Sequence, residues 1–129
     1  MPDQWLQRWI DKAEEDWTGL ARLGAGGWEE VADIAAFLAQ QCAEKYLKAL
    51  IHREGLEPPR LHHLPMRLDL LLLAHPDLAV LRESCERLSP YAVSFRYPGE
   101  DASAQEARDG MELAGQIRQV LRAKLGVQS

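Results

Sequence analysis

The residue types best suited to chemistry fall in two groups. One is the run Gln41-Cys-Ala-Glu-Lys-Tyr-Leu-Lys48, which places Gln41, Glu44, Lys45 and Lys48 at spacings of three and four, so that their side chains meet on a helix. The other is Tyr91, Arg96 and Tyr97, in a segment stiffened by Pro90 and Pro98. A planar guanidinium can grip a phosphate while a neighbouring aromatic ring stacks on a base. Arg96 could equally be bonded to backbone carbonyls at a helix end, with Tyr97 buried; residue types alone leave both readings open. His62 and His63 are adjacent and cannot share one helical face, and no cysteine or carboxylate stands at a metal-ligand spacing from both. No metal site and no cofactor is expected. His63 is expected to cap or pack at the start of a helix.

These groups must be held by helices. Trp5, Leu6, Trp9, Ile10, Ala13, Trp17 and Leu20 form one face at about 100° per residue. Asp3 is the expected cap of this first helix and Gly24 its expected end. After the glycine cluster, Val31, Ile34, Ala35, Leu38, Cys42, Tyr46 and Ala49 continue in register to about His52. Gly55 and Pro58-Pro59 then enforce a loop over 55–61. A third helix is expected over about His63 to Ala74, with Leu64, Leu68, Leu71 and Leu72 buried and Pro65 in its first turn. Asp77 is expected to cap a fourth, carrying Leu78, Leu81, Cys85 and Leu88, which Ser89-Pro90 ends. The loop Tyr91 to Glu100 leads to a last helix from about Ala102 to Leu125, with Ala107, Met111, Ala114, Ile117, Leu121 and Leu125 on one face. No strand pattern competes. The fold class is all-α, an antiparallel up-and-down bundle of four to five helices, within one domain over residues 1–129.

A helical wheel puts Lys45 inside the apolar arc of the second helix and Asp16 between Trp5 and Trp9 on the first. A buried charge is costly without a partner, so an Asp16–Lys45 pair is expected. It either fixes how two helices dock or lends Lys45 to a ligand. Glu44 and Lys48 lie on the flank beside that stripe, which either faces a cleft or partner or is a solvated face carrying a Glu44–Lys48 pair.

Composition narrows the setting. The chain has 129 residues, is 47% hydrophobic and carries a net charge of −5 with a pI near 5.3. A surface that attracts phosphate backbones everywhere is excluded, because nonspecific nucleic-acid affinity needs basic charge. Eleven arginines stand against four lysines, a bias that suits bidentate recognition of phosphate or carboxylate. Cys42 and Cys85 fall on apolar stripes and are expected to be free thiols. No run is long enough to span a membrane, and Met1-Pro-Asp-Gln4 lacks the layout of a secretory signal, so a cytoplasmic location is expected. Of four tryptophans, three lie on the first helix and Trp28 in a glycine-rich connection, more than a bundle this small needs for its core. Some are expected at the interface of a two-fold dimer, the alternative being that all four close the bundle's ends.

The ordered motifs resemble the HEPN domain over nearly the whole chain. They are Trp9 with Ala13 and Asp16, the run from Gln41 to Ala49, His62-His-Leu64, and Tyr91 followed by Arg96-Tyr-Pro98. The resemblance implies a small helical bundle that pairs around its arginine loops. Many members look like ribonuclease toxins, in which an arginine followed four to six residues later by a histidine forms the active site across a dimer. Arg96 matches the arginine. The histidine is absent, with Asp101, Ala102 and Ser103 standing in the region beyond Arg96, and no later residue is a histidine. Loss of a general base costs about 100-fold to 10,000-fold. The resemblance therefore implies a noncatalytic subunit that binds a nucleotide or a minimal nucleotidyltransferase partner in a toxin–antitoxin-like system, through Lys45, Lys48, Tyr91, Arg96 and Tyr97. The alternative is an RNA-cleaving toxin whose base is His62 or His63 brought near Arg96, and a third reading is a purely structural dimer.

Overall fold

A computed structural model describes residues 4–127, and every element among them is helical. The five α-helices are α1 (Gln4–Ala25), α2 (Ala32–Arg53), α3 (Leu64–Leu72), α4 (Arg82–Leu88) and α5 (Ala104–Leu125), with 3-10 turns at Pro76–Leu81 and Ser89–Ala92. Asp3, the expected cap of α1, lies outside the described residues. The start of α3 follows expectation, since His63 accepts a hydrogen bond from Met66 N at 3.2 Å and Pro65 sits in the first turn. At α5, Ser103 and Glu106 form a reciprocal capping box, and Gly126 closes the other end at φ 73°.

Three expectations are corrected. Gly24 does not end α1; it stays inside the helix because the Trp28 ring occupies the space a Cβ would need, and the turn is made at Gly27, φ 95°. Asp77 does not cap α4. It lies in the first turn of the 3-10 segment, where His75 is the capping position, and its carboxylate pairs with Lys124 at 2.7 Å. Ile34 and Trp5, placed on apolar faces by periodicity, are 59% and 61% exposed. The rest of the expected α2 stripe holds at Ala35, Cys42, Tyr46 and Ala49, and Ala39, Ala43 and Leu50 widen the buried surface.

Helix α2 runs through the middle, packed chiefly against α1 and α5 and also against α3. The short link after α1 makes α1 and α2 an antiparallel hairpin. Helix α5 runs parallel to α2, since Gly110 meets Ala39 near one end while Arg122 reaches Tyr46 and Arg53 reaches the Lys124 carbonyl at the other. The short α3 and α4 and the 93–103 segment return the chain to make that possible. Leu64, Leu68, Leu71, Leu78, Leu88, Ile117 and Leu121 complete the core, and both cysteines are buried free thiols.

A polar cluster joins α1, α2 and α5. Glu14 accepts two bonds from Arg118, at 2.9 and 2.5 Å, and a third from the Tyr46 hydroxyl, which itself accepts from Arg122 Nη1 at 3.0 Å. Burial, with Glu14 next in importance, pushes the Tyr46 hydroxyl up to about 12. The Arg118 bonds, against an opposing burial effect, hold the Glu14 carboxyl below its ordinary 4.5. A carboxyl lowered in the folded state stabilises fully above its unfolded value and loses that contribution as pH falls through the folded one. Stability should therefore drop below about pH 4.5. Glu14→Gln should be less stable near neutrality and show a shallower acid dependence, measured by denaturant unfolding between pH 7 and about pH 3. An unchanged slope would remove Glu14 from the acid response.

Candidate functional site

Arg96 is displayed by a turn whose geometry is set on both sides. Val93 N and Ser94 N both donate to the Pro90 carbonyl, at 3.1 and 3.0 Å, extending the Ser89–Ala92 turn. Tyr91, expected in a loop, lies in that turn, its ring 5.5 Å from Phe95 and against Gly110, where a Cβ would stand 3.5 Å from it. Burial raises the Tyr91 pKa. Phe95 adopts φ 64°, the only positive φ of a non-glycine among the described residues. Such a conformation costs on the order of 1–3 kcal/mol and persists only where its surroundings dictate it. Beyond the turn, Asp33 Oδ1 accepts from Ala102 N at 2.7 Å and ties the far end of the segment to the first turn of α2.

Arg96 consequently projects from the fold, exposed and with no hydrogen bond or ion pair to any described residue. It lines a pocket of about 270 Å³ with Asp33, Ile34, Phe37, Ser94 and Phe95. Tyr97 follows, 71% exposed rather than buried.

The lysines lie farther along α2. Lys45 pairs with Asp16 at 2.7 Å, as expected, both side chains being largely covered. Lys48 Nζ stands 4.2 Å from the centre of the Trp9 ring, a cation–π contact. Burial first, then the Arg67 charge, lowers the Lys48 pKa, with Glu44 opposing. No Glu44–Lys48 pair forms on a solvated face. Glu44 is buried, accepting from Gln40 Nε2 at 3.2 Å and bonding His62 Nδ1 at 2.8 Å. At 1.5 Å per residue, Lys45 and Lys48 stand about 12 and 16 Å beyond Phe37 along the helix. The lysines and the Arg96 turn lie against separate stretches of α2; the fold does not gather them in one pocket.

A second groove, of about 480 Å³, lies between the 60–65 segment and the Ser89–Ala92 turn, lined by Leu61, His62, Pro65, Pro90 and Val93 among others. The exposed His62 ring at its edge is fixed by the buried Glu44 carboxylate. Beneath it Arg67 is 3% exposed, donating through Nη2 to the Pro59 and Leu61 carbonyls at 3.2 and 3.5 Å and leaving Nε and Nη1 unsatisfied. Sequence reasoning missed Arg67 and Gln40, yet Arg67 sits three residues after Leu64 and one before Leu68, inside the stripe that was read as buried. It also missed Asp33, which carries no motif. Among the described residues no cluster of three His, Cys, Asp or Glu could hold a metal ion.

Four helices around a buried α2, with an arginine turn opening beside its first half, define a small all-α bundle. The HEPN domain model matches residues 6–124, and the chain belongs to the HEPN domain family. The crystal structure of an archaeal HEPN homologue shares the fold, with a TM-score of 0.72 and 24% identity over 92% of this chain and 96% of that one. No curated protein matches the sequence. No helix among the described residues is long and apolar enough to cross a membrane.

The Asp16–Lys45 contact can be weighed directly. In a double-mutant cycle of Asp16→Leu and Lys45→Met, the pair should show a coupling of about 1 kcal/mol in unfolding free energy, each single change costing more than the double change implies. Additive effects would mean that the two charges are satisfied independently.

Proposed function

We propose that this HEPN protein is a noncatalytic subunit that binds a nucleotide, or a terminal nucleotide of RNA, at the Arg96 turn, and that it acts as a two-fold dimer beside a minimal nucleotidyltransferase in a toxin–antitoxin-like, cytoplasmic setting. The observation that carries this reading is the Arg96 guanidinium, unpaired and held over an apolar shelf of Ile34 and Phe37 by a strained residue. Arg67 and Arg118, by contrast, are bonded to carbonyls and to a carboxylate. Exposed Tyr97 offers a ring for stacking. Ile34, Leu61, Val93 and Tyr97, each more than half exposed, supply apolar area around the turn for a second copy. Asp101, standing near where a ribonuclease histidine would fall, is exposed.

One feature favours ribonuclease activity as the second reading. The buried Glu44 carboxylate holds His62 Nδ1, which leaves the opposite ring nitrogen toward solvent, the arrangement a general base needs. His62 and Val93 line one groove, and Ser94 and Arg96 line the next. In that chemistry His62 would take the proton of a ribose 2′-hydroxyl while Arg96 met the charge developing on phosphorus.

Purified protein incubated with fluorescent single-stranded RNA should leave it intact and bind it weakly, with binding lost in Arg96→Ala while that variant stays within about 0.5 kcal/mol of wild-type stability. Cleavage abolished by His62→Ala would replace the noncatalytic reading with the second one. The mass measured at micromolar concentration should be that of a dimer; a monomer would remove the pairing from the proposal.

A further inference from the structure

The Arg96 pocket contains a second charge that the nucleotide reading has not used. Asp33 and Arg96 line the same space of about 270 Å³, yet no ion pair or hydrogen bond joins them. The two side chains border one space without pairing. Here each is held from its own side: Asp33 by the amide of Ala102 at 2.7 Å, Arg96 by the left-handed turn at Phe95. A carboxylate offers about four acceptor positions, of which Ala102 fills one. The pocket therefore offers both an unpaired cation and free acceptor capacity to one ligand.

We propose that this pocket holds the ribose 5′-phosphate portion of a ribonucleotide, with the phosphate on Arg96 and the ribose hydroxyls donating to Asp33. The proposal rests on the nucleotide-binding reading above and specifies which part of the ligand is read. Asp33 repels phosphate and accepts only donors, and the hydroxyls are the donors that a sugar phosphate presents. Acidic residues that accept from ribose hydroxyls recur in nucleotide sites for the same reason, and the 2′-hydroxyl is what separates RNA from DNA at a given contact. The pocket, of about 270 Å³, is open to solvent, and in this placement the base lies toward the opening. Phe37, 38% exposed, lines the pocket, and Tyr97, the residue after Arg96, is 71% exposed. Stacking there tolerates every base because each has a π-face. The site selects for sugar and not for base.

Titration of the wild-type protein with AMP, 2′-deoxy-AMP and CMP, followed by calorimetry, reads both features. AMP and CMP should bind within about threefold of each other, and 2′-deoxy-AMP about tenfold more weakly, the loss expected for a hydrogen bond to a charged group. Asp33→Asn keeps an acceptor for Ala102 N and should bring the ribo-to-deoxy ratio toward one while still binding phosphate. Equal affinity for AMP and 2′-deoxy-AMP would overturn the assignment of Asp33 and leave nucleotide binding intact, as would an unchanged ratio in Asp33→Asn. A strong preference between AMP and CMP would overturn the placement of the base outside. Failure of all three ligands to bind would remove the nucleotide-binding reading itself, and this inference with it.

Discussion

Helix α2 has almost no solvated side, and the rest of the molecule is arranged around that fact. Thirteen of its 22 residues are buried, so every polar group it carries must be satisfied by the helices around it. Tyr46 meets Glu14 and Arg122, Lys45 meets Asp16, Lys48 lies on Trp9, and Glu44 takes Gln40 and His62. Most of these contacts join α2 to α1 or α5, and the Glu44–His62 bond secures the loop that follows it. The small residues Ala35, Ala36, Ala39, Ala43 and Ala49 let the helices approach closely, and Gly110 of α5 meets Ala39 where a larger residue would not fit without displacement.

That central rigidity gives the Arg96 turn its character. Asp33 and Phe37 are fixed because they belong to α2, and Tyr91 is fixed because Gly110 and Phe95 hold it. The chain between two anchored points, Tyr91 and Ala102, is left to make a sharp reversal, and Phe95 absorbs it at φ 64°. A side chain following such a residue is aimed by the backbone and need not be held by bonds of its own. This separates Arg96 from Arg67, Arg118 and Arg122, all drawn inward by carbonyls, a carboxylate or a hydroxyl.

Much of the fold was legible in the sequence because helical periodicity survives in a chain whose core is mainly leucine and alanine. Five helices, the loop at 55–61, the Asp16–Lys45 pair and the capping role of His63 were all readable from spacing. On α2 periodicity finds Ala35, Cys42, Tyr46 and Ala49 but is blurred by burial on most sides, so that Ile34, on the same apolar register, is 59% exposed. The failure at Asp77 has another cause: Pro76 set a 3-10 turn that moved the cap to His75. The Arg96 site was half legible. Its arginine and Tyr97 stand out as residue types, but Asp33, Ile34 and Phe37 come from some 60 residues earlier and only tertiary packing places them beside it. The family resemblance groups Lys45 and Lys48 with Arg96, whereas the rise of α2 sets them well beyond Phe37.

The charge of the whole chain also bears on what such a site can hold. Affinity for long nucleic acid grows with the number of phosphates neutralised, and each contact on a single strand contributes about 0.7 to the salt slope. Around the Arg96 pocket the cation stands alone among Asp33, Ile34, Phe37, Ser94 and Phe95, with the acidic residues Glu29, Glu30 and Asp101 around the neighbouring pocket that shares Asp33. A polyanion laid across this region would gain one favourable phosphate contact and meet several repulsive ones. A small ligand that places a single phosphate on Arg96 and keeps its donors toward Asp33 avoids that conflict. Local charge therefore favours a mononucleotide or a chain end over the interior of an RNA strand, for the same reason that the net charge of −5 disfavours nonspecific binding.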